Sequence, residues 1–266
     1  SILPFVRFDL AERTNGSFAV LDVNSSRPIG AGLTLQLTTM FLNHRLTEAQ
    51  PTDFIGPLVR TIRACYESWC AQHGHAAKEH PLLAIAIPDS VGAVPDFKVL
   101  ARHLTKTGAF ERVVLIDPDD FSMSSDGSTL TALVDGQVRT ISLVLRTVKV
   151  DLDPTIAPAL AAAYPNAACI VGPFWRRWLG SKLWMALVQR EPFRSEIALA
   201  LGEHAEPFFA SLPLCGLYEA GTVTFPDGRR PMESLSRTDW VVKVAAGSSA
   251  RGVLIGRSLS HEMWLN

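Results

Sequence analysis

The feature that most constrains the fold is an alternation of strand-like and helix-like segments in the middle of the chain. "LLAIAIP" (82–88) and "RVVLID" (112–117) are short apolar runs that predict strands, the first of them buried. Between them, "PDFKVLARHLTKTG" (95–108) carries apolar residues at helical spacing and ends on a glycine, which predicts a helix. Because such alternation is typical of parallel sheets covered by helices, the sequence predicts a three-layer α/β middle region with mixed sheets.

The alternation extends to both sides of this region. "LTALVDGQVRTISLVLRT" (130–147) is interpreted as two strands joined at Asp135-Gly136. Arg146 lies on the second strand, where contact with a substrate and an ion pair with Asp151 or Asp153 are both open. The remaining predicted elements are helices near 34–43, 53–73, 154–163 and 177–189, a strand at "AACIVG", and a helix and a loop-rich region after residue 195.

Composition narrows the class of protein. The chain has 266 residues, of which 47% are hydrophobic and 19% charged, and its formal net charge is −1. This near-neutral balance gives no electrostatic reason to expect a nucleic acid or an anionic membrane as partner. No apolar run reaches the roughly 18 residues of a membrane span. The beginning of the chain lacks the layout of a signal peptide, so a cytoplasmic protein is expected. The four cysteines, without CxxC spacing, are expected to be free thiols in a reducing compartment: Cys65, Cys70, Cys169 and Cys215.

Two strand-like runs near the beginning carry polar residues in apolar surroundings. "LPFVRFDL" (3–10) and "SFAVLDVN" flank Asn15-Gly16, a strong signal for a tight turn, and predict a hairpin. Arg7 and Asp9 alternate along the first strand, and Asp22 and Asn24 along the second, so each pair shares a face. If the pairs converge, their oxygens form a donor set that suits Mg²⁺. The open alternative is a solvated surface.

The closing stretch "DWVVKVAAGSSARGVLIG" (239–256) raises a second possibility. Adjacent antiparallel strands at 240–245 and 252–257 would be joined by a loop of small residues whose backbone amides can approach a ligand. Lys243 would add a point charge to a bound phosphate. An ordinary hairpin whose lysine reaches solvent is the alternative. The loop residues concerned are Gly247, Ser248, Ser249, Ala250, Arg251 and Gly252.

Four segments, in order, resemble a known family. "VRFDL…FAVLDVNSSRPIGAGL" resembles the "R-x-D … E-x-N … P-x-G" signature of the circularly permuted ATP-grasp ligases, the group that contains glutathionylspermidine synthase. "SLVLRTVKVDLD", "VGPFWRRWLGSKLWMALV" and the closing stretch resemble three further segments of that family. In this chain Asp22 stands at the family's glutamate position, and Ser248, Ser249 and Ala250 stand where relatives are richer in glycine.

The resemblance implies an ATP- and Mg²⁺-dependent carboxylate–amine ligase that forms an amide bond through an acyl phosphate. Asp9, Asp22 and Asn24 would be the metal ligands, and Arg7 would be catalytic, stabilising charge beside the reacting carboxylate. The cofactor-binding residues would be Lys182 and Lys243 on the ATP phosphates, with Gly247 to Gly252 as a lid. The substrates would be a small-molecule or peptide carboxylate and an amine. The alternative is a catalytically inactive relative acting as a binding or scaffold module.

The resemblance also implies a domain organisation. Residues 1–80 would carry the hairpin, helices and metal-site acids, residues 81–165 a pre-ATP-grasp-like α/β domain, and residues 166–266 the nucleotide-binding portion. This last portion is expected to be incomplete, because the adenine-binding segment of relatives has no counterpart in the chain. A small-molecule-binding α/β protein unrelated to nucleotides is a third possibility. The oligomeric state is not indicated by the sequence.

Overall fold

A computed structural model describes most of the chain. The described residues are 7–24, 30–43, 53–89, 92–147, 157–172, 181–243 and 253–265. Among these residues, no helix combines the length and the apolar character needed to cross a membrane.

The described elements are numbered in chain order. The strands are β1 (Arg7–Glu12), β2 (Phe18–Asn24), β3 (Leu82–Ala86), β4 (Arg112–Ile116), β5 (Phe121–Met123), β6 (Leu130–Val134), β7 (Gln137–Thr140), β8 (Leu143–Arg146), β9 (Cys169–Val171), β10 (Leu217–Glu219), β11 (Thr222–Phe225), β12 (Gly228–Pro231), β13 (Val241–Lys243) and β14 (Val253–Ile255). The helices are α1 (Ala31–Asn43), α2 (Ile55–Gln72), α3 (Val94–Lys106), α4 (Pro158–Ala163), α5 (Leu183–Leu187), α6 (Phe193–Leu201), α7 (Ala205–Ser211) and α8 (His261–Leu265).

The chain divides into two compact units. The first comprises Ser1–Arg7 and Ser25–Arg177, and the second combines Phe8–Asn24 with Trp178–Asn266. The second unit therefore joins a segment near the beginning of the chain to the last third of it. The predicted domain boundaries near residues 80 and 165 stay a prediction.

The first unit is built on a parallel sheet with strand order β4-β3-β8-β9. Every residue of β3 is buried, which explains why its sequence is a continuous apolar run and not an alternation. Alternate side chains of β3 face two different layers: Leu83 and Ile85 pack with α2 and α3, whereas Ala84 and Ala86 pack with α4 and the antiparallel β5-β6-β7 sheet. The mixed α/β fold with a parallel sheet agrees with the expectation from the sequence, and so do α1, α2 and α3.

The second of the two strands predicted within residues 130–147 is in fact two strands, β7 and β8. The hairpin at Asp135-Gly136 is present between β6 and β7, and both turn residues have positive φ values of 50° and 76°. The chain then leaves this antiparallel sheet after Thr140, and "LVLR" joins the parallel sheet as β8. The change of pattern has a physical reason, since "QVRT" is mostly exposed on β7 whereas "LVLR" is buried throughout.

Arg146 ends β8 and is buried, with 1% of its surface exposed. Its Nε donates a hydrogen bond to the carbonyl oxygen of Gly172 at 2.6 Å. The two acids predicted as ion-pair partners of Arg146 lie outside the described residues; they are Asp151 and Asp153.

Within the described residues, the second unit contains three small antiparallel sheets and the helices α5 to α8. The predicted pairs β1-β2 and β13-β14 are present. The meander β10-β11-β12 lies where the sequence predicts loops. Its strands were not predicted because they have only three or four residues each. Phe225 and Met232 of this region form a small core with Trp264.

Candidate functional site

The site is organised by the β1-β2 hairpin of the second unit. Its turn is specified by Asn15, whose Oδ1 accepts hydrogen bonds from the backbone N–H and the hydroxyl of Ser17, and by Gly16, which has a φ of 79°. Arg13 then fixes the hairpin to α7 by donating a hydrogen bond to the carbonyl oxygen of Ala210 at 2.7 Å. A cation at the end of a helix is favourable because it meets carbonyl groups without a helical partner.

Lys182 lies just before α5, and its side chain reaches β2. Its Nζ contacts Oδ1 of Asp22, a residue 160 positions earlier in the chain. The two side chains are 18% and 23% exposed, so the ion pair is only partly screened by water. The same Asp22 oxygen accepts a hydrogen bond from the backbone N–H of Val23 at 2.7 Å.

Lys243 ends β13, and its side chain reaches Leu21, the residue before Asp22 on β2. Its Nζ donates a hydrogen bond to the carbonyl oxygen of Leu21 at 3.0 Å, across 222 positions of sequence. Two ammonium groups from separate segments therefore contact consecutive residues of β2. Two ammonium groups thus lie beside the carboxylate of Asp22, and their N–H donors suit an anionic ligand.

Cys215 is a member of this neighbourhood that the sequence did not indicate. Burial raises the pKa of the Cys215 thiol, while the side chain of Gln189 and the positive charge of Lys243 act to lower it. Gln189 is held in place by hydrogen bonds to the carbonyl oxygens of Met185 at 2.7 Å and Pro213 at 2.9 Å. Nothing in the local sequence of Cys215 signals this position, because the proximity to Lys243 arises only from the fold.

The other predicted site residues are placed less completely. Asp9 lies half-buried on β1. Arg7 and Asn24 lie on β1 and β2, and only the strand positions of these two residues are described. The predicted lid, formed by Gly247, Ser248, Ser249, Ala250, Arg251 and Gly252, lies outside the described residues.

Two of the three predicted metal ligands are acids, Asp9 and Asp22, and the third is the amide Asn24. In the described ranges, no group of three or more His, Cys, Asp or Glu side chains is arranged to hold a metal ion. Asp22 instead uses one carboxylate oxygen to bind the ammonium group of Lys182.

Comparisons with known proteins show a likeness of fold. No protein-family model matches the chain, and no curated protein matches it. Among solved structures, the chain is similar to a glutathione synthetase-like effector from Globodera pallida in its apo form, with a TM-score of 0.53 at 12% sequence identity. The similarity covers 79% of this chain and 49% of the effector, so the chain spans about half the length of that protein. At this identity the likeness concerns the fold alone, and the mixed α/β structure fits a broadly ATP-grasp-like fold.

The contact between Lys182 and Asp22 is testable by a double-mutant cycle. We expect the free energies of unfolding of the Lys182→Met, Asp22→Asn and double variants to show a coupling of about 1 kcal/mol, since both groups are partly shielded from water. Urea unfolding of the four proteins measures it. Arg194→Met and Glu206→Gln form a matched control in the same unit, because this pair is more exposed and 3.7 Å apart. Additive effects at Lys182 and Asp22 would contradict the contact.

The position of Cys215 beside Lys243 is testable through its reactivity. Replacing Lys243 by Met removes a charge that lowers the pKa of the thiol, so the pKa rises further and less thiolate is present at pH 8. We expect slower alkylation of Cys215 by iodoacetamide, followed by mass spectrometry, and an upward shift of the midpoint of the pH–rate profile. Lys182→Met serves as the control and leaves the midpoint unchanged. A midpoint that Lys243→Met does not move would show that the two groups are apart.

Proposed function

We propose that the chain carries the nucleotide site of an ATP- and Mg²⁺-dependent carboxylate–amine ligase of the circularly permuted ATP-grasp type. The observation that supports this most is the convergence of Lys182 and Lys243 on Leu21 and Asp22 of β2. These are two lysines and one acid of the set that the family resemblance assigns to ATP and its metal. The similarity to a glutathione synthetase-like effector supports the fold that this assignment requires.

The proposed reaction has two steps. A carboxylate oxygen of the first substrate attacks the γ-phosphorus of ATP, ADP leaves, and an acyl phosphate forms. The amine of the second substrate then attacks the acyl carbon, inorganic phosphate leaves, and an amide bond remains once the nitrogen loses a proton. Catalysis of phosphoryl transfer depends mainly on positioning and on neutralising charge.

The residues of this chain would supply the charge that such a transfer needs. Lys182 and Lys243 would each bind phosphate oxygens, and the loop from Gly247 to Gly252 would add backbone N–H donors. Arg7 would lie beside the reacting carboxylate and stabilise the negative charge that develops there. The identities of the acid and the amine would be set by substrate-binding loops, since a fold alone does not select them.

The oxygen ligands assigned to the metal fit Mg²⁺ in kind. Mg²⁺ is commonly held by one or two carboxylates together with substrate phosphates and water, so it does not need a cluster of three acids. Asp22, Asp9 and Asn24 would provide the protein oxygens. When bound, Mg²⁺ would neutralise phosphate charge.

The ion pair between Lys182 and Asp22 fits a site that exchanges partners on binding. A nucleotide with its metal offers a phosphate to the lysine and a cation to the aspartate at the same time. ATP without metal offers only the phosphate and would leave the Asp22 carboxylate without its counter-charge. This exchange predicts that binding of ATP depends strongly on Mg²⁺.

Calorimetric titration of the protein with ATP, with and without Mg²⁺, tests the proposal. We expect Lys182→Met, Lys243→Met and Asp22→Asn each to weaken binding of Mg²⁺-ATP by about tenfold to a hundredfold, the range for loss of one charged contact. Lys78→Met, at an exposed lysine of the first unit, serves as the control and leaves affinity unchanged. A chain that binds no Mg²⁺-ATP, or variants that bind as well as the original, would contradict the nucleotide site.

A second measurement separates the ligase from the inactive relative. The ligase releases ADP only when a carboxylate substrate is added, so release of ADP across a panel of small acids and peptides supports it. Tight binding of Mg²⁺-ATP without ADP release for any acid supports the binding module instead.

A further inference from the structure

A groove follows the open edge of the parallel sheet in the first unit. β4 is the last strand of the order β4-β3-β8-β9, so one of its sides has no partner strand among the described residues. A cavity of about 320 Å³ lies along this side and is bounded by β4, the end of β6 and Lys98. A second cavity of about 420 Å³ lies between β4 and α3. The edge is therefore the floor of a groove with two different walls.

The backbone of β4 offers hydrogen-bonding groups to this groove. The carbonyl oxygen of Ile116 accepts a hydrogen bond from the N–H of Ile87 on β3 at 3.0 Å. In a parallel ladder, alternate residues direct their N–H and C=O groups to opposite sides. Val113 and Leu115 thus direct these groups away from β3 and into the groove. Such an edge is a template for an added strand.

The α3 wall of the groove carries a row of cations. Lys98, Arg102 and Lys106 are exposed and four residues apart, so they lie on one face of the helix. None of the three takes part in an ion pair within the described part of the chain. By contrast, the nearby Arg112 and Arg139 are each paired with an acid. The row thus has charge available for a partner.

The spacing of this row matches that of an extended chain. Residues four apart on a helix are separated by about 6 Å along its axis. Alternate residues of a strand, whose side chains point to the same face, are separated by about 6.7 Å. A strand added to β4 would therefore place every second side chain opposite one cation of α3.

The opposite wall carries exposed apolar side chains beside the ion pair of Arg112 and Asp135. Leu133 of β6 and Val138 of β7 are directly paired across the hairpin, and they are 61% and 73% exposed. Leu133 lines the groove. The side chains of an added strand that point away from α3 would meet this wall, where apolar residues gain from leaving water.

We propose that the edge of β4 binds an extended acidic peptide segment of another protein as an added strand. Its acidic side chains, at alternate positions, contact Lys98, Arg102 and Lys106, and its apolar side chains, between them, contact Leu133. A second copy of this chain is a poorer occupant. Antiparallel pairing of two β4 edges in one continuous sheet brings the two α3 rows together on the same face, where like charges repel.

Binding of synthetic peptides tests the proposal. The probe is a labelled peptide in which glutamate alternates with valine over seven residues, and the control has the same composition with all glutamates in one block. We expect fluorescence anisotropy to show at least tenfold tighter binding of the alternating peptide at low salt, and weaker binding as salt rises. Equal binding of the two peptides would overturn the proposal, because only the alternating peptide matches both walls.

Charge reversal identifies the surface. The triple variant Lys98→Glu, Arg102→Glu and Lys106→Glu should lose at least tenfold in affinity for the glutamate–valine peptide and gain affinity for the matching lysine–valine peptide. Lys78→Glu, at an exposed lysine outside α3, serves as the control and changes the affinity for neither peptide. Unchanged circular dichroism and melting temperature show that the triple variant is folded. Failure of the lysine–valine peptide to bind the folded triple variant would contradict the proposal.

N-methylation of the peptide tests for strand addition. Only one alternate set of peptide amides faces β4, the set on the glutamates for antiparallel pairing and the set on the valines for parallel pairing. We expect methylation of one set to abolish binding and methylation of the other to be tolerated. If both methylated peptides bind, or neither does, the added strand is wrong. A peptide-free dimer in sedimentation that the glutamate–valine peptide dissociates would assign the edge to a second copy instead.

Discussion

The contacts of β2 with Lys182 and Lys243 are the constraint on which the second unit depends. Both contacts join a strand near the beginning of the chain to segments more than 150 positions later. Arg13 adds a third link of the same kind, through the end of α7. Closing such long loops costs conformational entropy that grows only slowly with length, so a few charged contacts and a small apolar core are sufficient to hold the hairpin in place. The same contacts bring an acid and two cations into one site.

The charges of this site are the basis for proposing a nucleotide as its ligand. Lys182 is neutralised by Asp22, whereas Lys243 contacts only a neutral carbonyl oxygen among the described residues. A phosphate has several acceptor oxygens and can engage both ammonium groups, and a divalent metal can replace Lys182 on the carboxylate. The basic row of α3 is a separate feature of the first unit. Because an open strand edge lies beside it, the anion proposed for this row is an extended acidic peptide.

Local sequence signals predicted the elements whose structure is decided locally. The run of β3, the helical spacing of α3 and the turn at Asn15-Gly16 each carry their own pattern, and each is present as expected. The meander β10-β11-β12 was missed because strands of three or four residues are too short for a period to show. The family resemblance selected Asp22, Lys182 and Lys243 together, although no spacing in the sequence shows that they meet. Cys215 could not be found, since its place beside Lys243 is a product of the fold.

The most direct test of a metal nucleotide bound at β2 uses Mn²⁺ in place of Mg²⁺. Mn²⁺ is paramagnetic and broadens the NMR signals of nuclei near it, so the spectrum of the protein with Mn²⁺-ATP locates the bound metal. We expect the backbone amides of Leu21, Asp22 and Lys243 to broaden together when Mn²⁺-ATP is added, and Asp22→Asn to reduce the effect. If these amides stay as sharp as they are with Mg²⁺-ATP, the acid of β2 and the two lysines do not share a bound metal nucleotide.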